Sequence, residues 1–453
     1  MFKKICISMT PLLLLAAVPA MAVEPVPLGT APAPYNCDFK PDCEVAPGVY
    51  GAMASPVMSK FKMSIGGYVK LDYAHNSNAS GPTTLPSGAT QGGSKEESIF
   101  TAKQSRFWLK VAGPAFLGAK TNALIEADFF GANSLSNEFG NMRMRHAFGT
   151  MDWPNTQVLF GQFWDVFGPA AADTIDFRQG GDSGAANNPR VPQIRLTQKL
   201  NFNADNSLKF VLGVQNPVQH SAAGGSNAQS GATVAGAVGS TYGSAPNVAG
   251  QIMFSSKALG VSPGFMGLGL NPLQVGVFGQ VGQTKIVGSD TVDSYGYGVY
   301  AFVPLIKSSN GKSRAMTLSL EAQAYQAAGL NVQGATSIAT VGTAPDLHAA
   351  KGFGMFGQLK FYPTQDLGLT AGYTHRGASN YDEYRAVNAI TTQKYNEVSY
   401  VNATYDLNAA IRLATEFEHH KTQYMGVNTA TVNNSASDSG QNNVFRVAAY
   451  YFF

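Results

Sequence analysis

From residue 60 onward the chain alternates apolar and polar positions with a period of two, again and again. The stretch KFKMSIGGYVKLDYAH puts Phe61, Met63, Ile65, Val69, Leu71 and Tyr73 on one face. Lys60, Lys62, Ser64, Tyr68, Lys70 and Asp72 fall on the other. A run of this length crosses a bilayer at the usual tilt, which takes ~9–11 residues. The pattern predicts sixteen strands, at about 60–74, 103–113, 121–130, 142–152, 156–165, 190–199, 206–216, 247–256, 273–284, 293–303, 315–326, 351–362, 366–376, 395–405, 409–420 and 443–453. In the last of them, VFRVAAYYFF, Phe445, Val447, Ala449, Tyr451 and Phe453 share an apolar side, while Arg446, Ala448 and Tyr450 form a mixed one.

The links between these runs are unequal. Five even-to-odd links are short or turn-like: GPAFLGAK, WPNT, NADN, YPTQD and DLNA. Most odd-to-even links are long and rich in Gly, Ser, Ala, Asn and Thr, as at 75–102, 166–189, 217–246, 327–350, 377–394 and 421–442. Short periplasmic turns and long extracellular loops are the habit of outer-membrane barrels. The expected fold is therefore all-β, a transmembrane antiparallel β-barrel of sixteen strands whose final strand pairs with the first and leaves no open edge. Links 257–272 and 304–314 are longer than this pattern asks, which leaves counts of 14 and 18 open. A soluble β-sandwich array is the alternative that the alternating loop lengths disfavour.

The first 22 residues, MFKKICISMTPLLLLAAVPAMA, have a basic start, a short apolar run and a small-residue cleavage site, which together form a secretory signal peptide. Residues 23–58 are Pro-rich and lack alternation. We expect an irregular periplasmic extension there, clipped by a Cys37–Cys43 disulfide in an oxidising compartment. The barrel then spans 59–453. Only 13% of the chain is charged, against ~25% in ordinary soluble domains, while 49 Gly, 19 Tyr and 27 Phe suit a membrane barrel. Mean hydropathy is −0.06, because alternation dilutes the apolar positions. Losing Lys3 and Lys4 with the leader takes the formal charge from +3 to +1, which gives no case for a nucleic-acid partner. Two cysteines are too few for structural zinc, no haem-attachment motif occurs, and no cofactor is expected. Neither G-x-S-x-G nor H-E-x-x-H is present, and SNGKS at 309–313 lacks the earlier glycine of a phosphate loop, so no enzyme is expected.

Sixteen strands enclose an aqueous bore, so chemistry belongs on the inward parity. The second strand puts Phe107, Leu109 and Val111 outward, leaving Arg106, Trp108 and Lys110 inside. The third leaves Asn122, Glu126 and Asp128 inside. The fourth sends Met144 and Phe148 outward and keeps Arg143 and Arg145 inside, and the sixth keeps Gln193 and Arg195. Arg106, Asp128 and Arg145 then form a layer at one height. Its guanidinium forks suit a carboxylate-bearing solute, or simply pair with the wall's own acids. Loop 166–189 is the candidate constriction. Its Asp173, Asp176, Arg178 and Asp182 alternate with apolar residues, and folding inward would set its acids opposite the wall arginines. His146 and Gln162 share the lipid-facing parity. Polar groups facing hydrocarbon need partners, so they are expected at a subunit interface, the alternatives being a slip of parity or a depth at which they reach water.

QSRFWLKVAGP, EADFFG, MRMRHAFG, LFGQFWDVFGP, TIDF and PRVPQIRLTQ together resemble the DcaP-like family of Gram-negative outer-membrane porins. The resemblance covers roughly residues 100–200 and is architectural beyond them. It implies a trimeric sixteen-stranded channel for small anionic organic solutes such as dicarboxylates. The positions that match are Arg106, Glu126, Asp128, Arg143, Arg145, Gln162, Asp176, Gln193 and Arg195. The chain departs from the family at 23–58, where members can carry a helical, coiled-coil-prone extension. The expected function is passive diffusion of small anionic or neutral solutes across the outer membrane, with membrane lipid and two sister subunits as partners. The alternative is a barrel scaffold that houses or anchors a periplasmic partner such as an electron-transfer protein.

Overall fold

The computed structural model describes residues 61–78, 89–91, 96–131, 140–177, 190–216, 241–242, 245–286, 291–330, 340–343, 346–380, 393–428 and 437–453. Residues 1–60, with Cys37 and Cys43, lie outside the described residues, as do Arg178 and Asp182.

Sixteen strands form one closed antiparallel sheet. In chain order they are β1 (Lys62–Asn76), β2 (two pieces, Glu97–Thr101 and Arg106–Ala112), β3 (Lys120–Asp128), β4 (Arg143–Asp152), β5 (Thr156–Trp164), β6 (Arg190–Asn201), β7 (Asn206–Gln215) and β8 (Asn247–Pro263). They continue with β9 (Leu270–Ile286), β10 (Thr291–Ile306), β11 (Thr317–Ala328), β12 (Lys351–Tyr362), β13 (Leu367–Ala378), β14 (Gln393–Asp406), β15 (Ile411–Asn428) and β16 (Ser437–Phe452). Each strand pairs with its neighbour. β1 closes the ring by pairing with β16 from Tyr68↔Phe452 to Asn76↔Val444, and with both pieces of β2 on its other side. A small hairpin, Thr340–Thr343 with Asp346–Ala349, stands in the loop between β11 and β12.

Of the two long links that left the count open, 257–272 is mostly strand, while 304–314 is strand only as far as Ile306 and adds none of its own. β8 and β9 continue past their expected ends to Pro263 and from Leu270, across an irregularity between Ser256 and Val261. Between them remains a tight turn containing Phe265–Gly267, the only helical turn among the described residues. The count of sixteen therefore stands.

Alternation sets which face is which. On β10, Tyr295, Tyr297 and Val299 are exposed on the outside, while Ser294, Tyr300 and Phe302 are buried inside. Outward side chains need only be apolar, but those inside must satisfy one another. The packed interior is accordingly rich in Lys70, Lys360, Arg446, Glu416 and Gln358, each at most 1% exposed.

Candidate functional site

The loop after β5 enters the bore and runs along the inner wall, and its described part ends at Phe177. Val166 packs on β7 at Gly213, and its N–H donates to Gln215 Oε1 at 3.2 Å. Phe167 is wholly buried against Phe278 and Tyr325, with ring centroids 5.2 and 5.7 Å away. It lies over Gly296, where a Cβ would come within 2.6 Å of its ring.

Wall side chains then hold the loop by its backbone. Asp173 N–H donates to Gln358 Oε1 at 2.8 Å, and Asp173 O accepts from Asn402 Nδ2 at 2.6 Å. Ile175 N–H donates to both Glu416 oxygens, at 3.0 and 2.9 Å, while Ile175 O accepts from Lys70 Nζ at 2.7 Å. Gln104, between the two pieces of β2, donates to Asp176 O. A buried backbone group without a partner is costly, so these side chains fix the loop's path.

The turn between β8 and β9 meets the loop from the side of the short connections. Met266 N–H donates to Asp173 Oδ2 at 2.8 Å. Arg412 and Arg314 donate to Met266 O and Gly267 O at 3.2 and 3.4 Å, and both arginines are anchored on Asp406. Gly267 has φ +70°, and a Cβ there would sit 2.3 Å from Tyr362 Oη, so the turn requires glycine.

Asp173 and Asp176 were expected opposite the arginines of the second to fourth strands. They lie instead against the other wall. Asp173 is 3.2 Å from Lys360 Nζ, which is also bound by Glu321 at 2.6 Å. Burial pushes the Asp173 carboxyl up, to about 6, against the pull of Lys360. Asp176, Glu416 and Glu418 bring carboxylate oxygens within 4.8 Å of one another. The wholly buried Arg446 lies 3.7, 3.5 and 3.9 Å from them. This guanidinium supplies the countercharge that a metal ion would otherwise bring, so the cluster reads as an ion-pair network.

Arg106, Asp128 and Arg145 lie together on the inner wall. Arg106 stands directly across from Asp128 in the ladder. Asp128 accepts a two-pronged pair from Arg143 at 2.9 and 2.6 Å, and a third bond from Arg145 at 2.7 Å. Glu126 accepts from Arg145 Nε at 2.6 Å and lies 3.6 Å from Arg106 Nε. Arg106 also sits over the rings of Tyr68 and Phe177, at 5.3 and 5.8 Å. Lys110 is exposed further down the same face of β2.

The lipid-facing parity expected for His146 and Phe148 does not hold. Asp128 pairs with Arg143 and Ala127 with Met144, but Glu126 pairs with His146. Arg145 is the extra residue of a β-bulge, and everything after it on β4 changes face. His146 is buried beside Phe163 and Trp164, with centroids at 5.0 and 5.3 Å. Phe148 packs on Phe163 at 4.8 Å. Gln162 keeps its outward parity. Its amide donates to Met144 O and Arg145 O, at 3.3 and 3.1 Å, beside the bulge. Gln162 thus finds partners within its own barrel, while His146 is turned to the inside.

On β6, Gln193 donates to Phe163 O and Trp164 O at 3.1 and 2.8 Å. Arg195 donates to Gln193 Oε1 at 2.9 Å and to Trp164 O, and sits over Phe163 at 5.1 Å. Two features escaped the reading of the second to sixth strands. Arg190 is buried over the Trp164 ring at 4.9 Å, and Lys199 stands directly across from Lys209. A charge count would have found them. From Ser183 to Ser289 the chain has one acidic residue, Asp205, and six basic ones.

These features define a class: a sixteen-stranded β-barrel of the outer-membrane porin type, with one loop folded into its bore. Among solved structures the chain is similar to the outer membrane channel DcaP of Acinetobacter baumannii. The two are 19% identical with a TM-score of 0.66, over 87% of this chain and 98% of that one. It is also similar to an anion-selective porin from Comamonas acidovorans (10% identity, TM-score 0.51, 87% and 100% covered). A third is the trimer form of OmpT from Vibrio cholerae (10%, 0.50, 87% and 100%). The resemblance to DcaP-like porins thus holds at the level of fold, and the fold is that of an integral outer-membrane barrel. No family model matches the sequence, and no curated protein matches it.

Proposed function

We propose that the protein is a trimeric diffusion channel of the outer membrane, passing small hydrophilic solutes and favouring anions, organic acids such as dicarboxylates among them. The observation that carries this reading is the path of the β5–β6 loop. It lies along the wall from β7 round to β2, and its acids are taken up by Lys360 and Arg446 on that side. The inner faces of β3–β6 lie away from Asp173 and Asp176, and of the described loop acids Asp165 alone neighbours their cations. A bore narrowed by a pinned loop and lined by surplus cations selects by size and charge. A loop and a turn packed inside also leave little room for a housed polypeptide, which supports small solutes over the scaffold alternative.

The neighbours named as porins, and the trimer form among them, agree with this reading. The test is the reversal potential of the purified protein in a planar bilayer under a KCl gradient. Stepwise openings in threes with a reversal potential towards chloride are expected. A protein that inserts as a folded barrel and passes no current would overturn the channel.

A further inference from the structure

We infer that the charges selecting the solute sit on β6 and β7, not in the arginine layer of β2–β4. The inference rests on the anion-channel reading above and assigns the residues responsible for it.

The arginine layer is largely spent on its own acids. Arg106, Arg143 and Arg145 share Glu126 and Asp128, so three cations face two carboxylates and one charge remains. Those carboxylates are within bonding distance of fixed guanidinium forks, and a passing anion would have to compete with them.

The wall of β6–β7 is different. Lys199 and Lys209 are cross-strand partners. Both lie on the inward parity, which continues upward through Val211 and Gly213 to Gln215 beneath the loop. Like charges directly opposite one another destabilise a sheet, and no carboxylate among the described residues stands within ion-pair distance of either. The charged groups that face Lys209 are Arg195 and Lys199, all cations. Above them Arg195 has only Asp165 as an acidic neighbour. Arg190, at the loop end of β6, sits over the Trp164 ring and neighbours Arg145, Arg143 and Asp128, so it belongs with the arginine layer.

Arg195, Lys209 and Lys199 thus descend one pair of strands towards the turn end, three cations with Asp165 as their one acidic neighbour. The acid-poor run of sequence contributes to this, since the sole acid between Ser183 and Ser289 is Asp205 in the β6–β7 turn. Fold alone gives no reason to set two lysines face to face here. A mobile anion moving between them does, whether chloride, phosphate or a carboxylate.

The test compares the full-length protein with Lys199→Gln/Lys209→Gln and with Arg143→Gln in planar bilayers under a tenfold KCl gradient. Heat-modifiable gel migration reports that each barrel is folded. The lysine pair variant should lose at least half of the anion-to-cation permeability ratio, while Arg143→Gln should stay within about 1.5-fold of the parent. As a second handle, Lys209→Cys should lose anion preference and regain it when a cationic thiol reagent restores the charge. It should not regain it with a neutral reagent of equal size. An anion-preferring parent whose ratio survives Lys199→Gln/Lys209→Gln, or falls equally with Arg143→Gln, overturns this assignment and leaves the channel standing. A silent or cation-preferring parent overturns the anion-channel reading and this inference with it.

Discussion

Glu416 offers the sharpest test of how the loop is held. Its two oxygens accept the Ile175 N–H at 3.0 and 2.9 Å, one of them also accepts Asn402 Nδ2 at 3.0 Å, and Arg446 Nε lies 3.5 Å away. Glu416→Ala strands a buried backbone donor and weakens a buried ion-pair network. An unsatisfied buried donor costs ~1–3 kcal/mol. Removing one partner of a buried pair costs ~3–5 kcal/mol when nothing else remains. Here Glu418 and Asp176 still face Arg446, so the second contribution is much reduced and the total is about 3 kcal/mol. That shifts the seating of residues 174–177 by roughly two powers of ten. The anchors at Lys70, Gln358 and Asn402 keep the loop from leaving outright. The assay is single-channel conductance and current noise, alongside limited proteolysis of the loop. Glu416→Ala should conduct more, flicker more and be cut faster. Glu416→Gln keeps a carbonyl oxygen for Ile175 and should stay near the parent. Unchanged conductance, noise and cleavage in Glu416→Ala would refute the reasoning. Equal loss in Glu416→Gln would shift the cause from the hydrogen bond to the charge.

Three further outcomes are expected. Gly296→Val drives a side chain into Phe167, an overpacking cost of about 1–3 kcal/mol; it should lower the denaturant midpoint and raise mean conductance, and a parent-like midpoint would refute the close packing. Asp173 has its carboxyl pushed up to about 6 by burial, so the seated loop binds the proton better than the free loop. Docking should therefore strengthen as pH falls from 7 towards 4 and weaken as pH rises through 6, by of order 2 kcal/mol. Protease protection of the loop reports the slope, Asp173→Asn should flatten it, and a slope of opposite sign would sink the assignment. Gln162→Leu removes the donor to Met144 O and Arg145 O, and should cost ~1–3 kcal/mol of barrel stability without changing the oligomer seen in detergent. A trimer that falls to monomers with barrel stability intact would show Gln162 working at a subunit contact instead.

The barrel was legible in the sequence because alternation is strict wherever lipid lies on one side. β10 and β12 cover the expected ranges 293–303 and 351–362, and on both buried residues alternate with more exposed ones, Tyr297 and Met355 among the latter. The turn between β8 and β9 was not legible. Its flanking residues, KALGVSPG and GLGLNP, carry the glycines and prolines of a loop, yet Val261, Ser262 and Pro263 pair as strand with Pro272, Asn271 and Leu270. Counting by twos also fails silently at a bulge. One extra residue, Arg145, is enough to turn His146 and Phe148 inward, and nothing in MRMRHAFG announces it.

The loop acids were misplaced for a further reason. Asp173 and Asp176 could be recognised as groups needing partners, but which wall they reach depends on the direction the chain takes after Trp164. That direction is fixed by apolar packing of Val166 and Phe167 on Gly213 and Gly296, at strand positions far along the sequence. Proximity along the chain pointed to the arginines of β2–β4, whereas the packing carried the loop to Lys360 and Arg446. Selectivity follows the same rule. The field of a bore comes from charge left over after internal pairing, so the densest cluster of arginines is not the strongest candidate. The acid-poor run through β6 and β7 is stronger, because there the sequence supplies cations and almost nothing to pair them with.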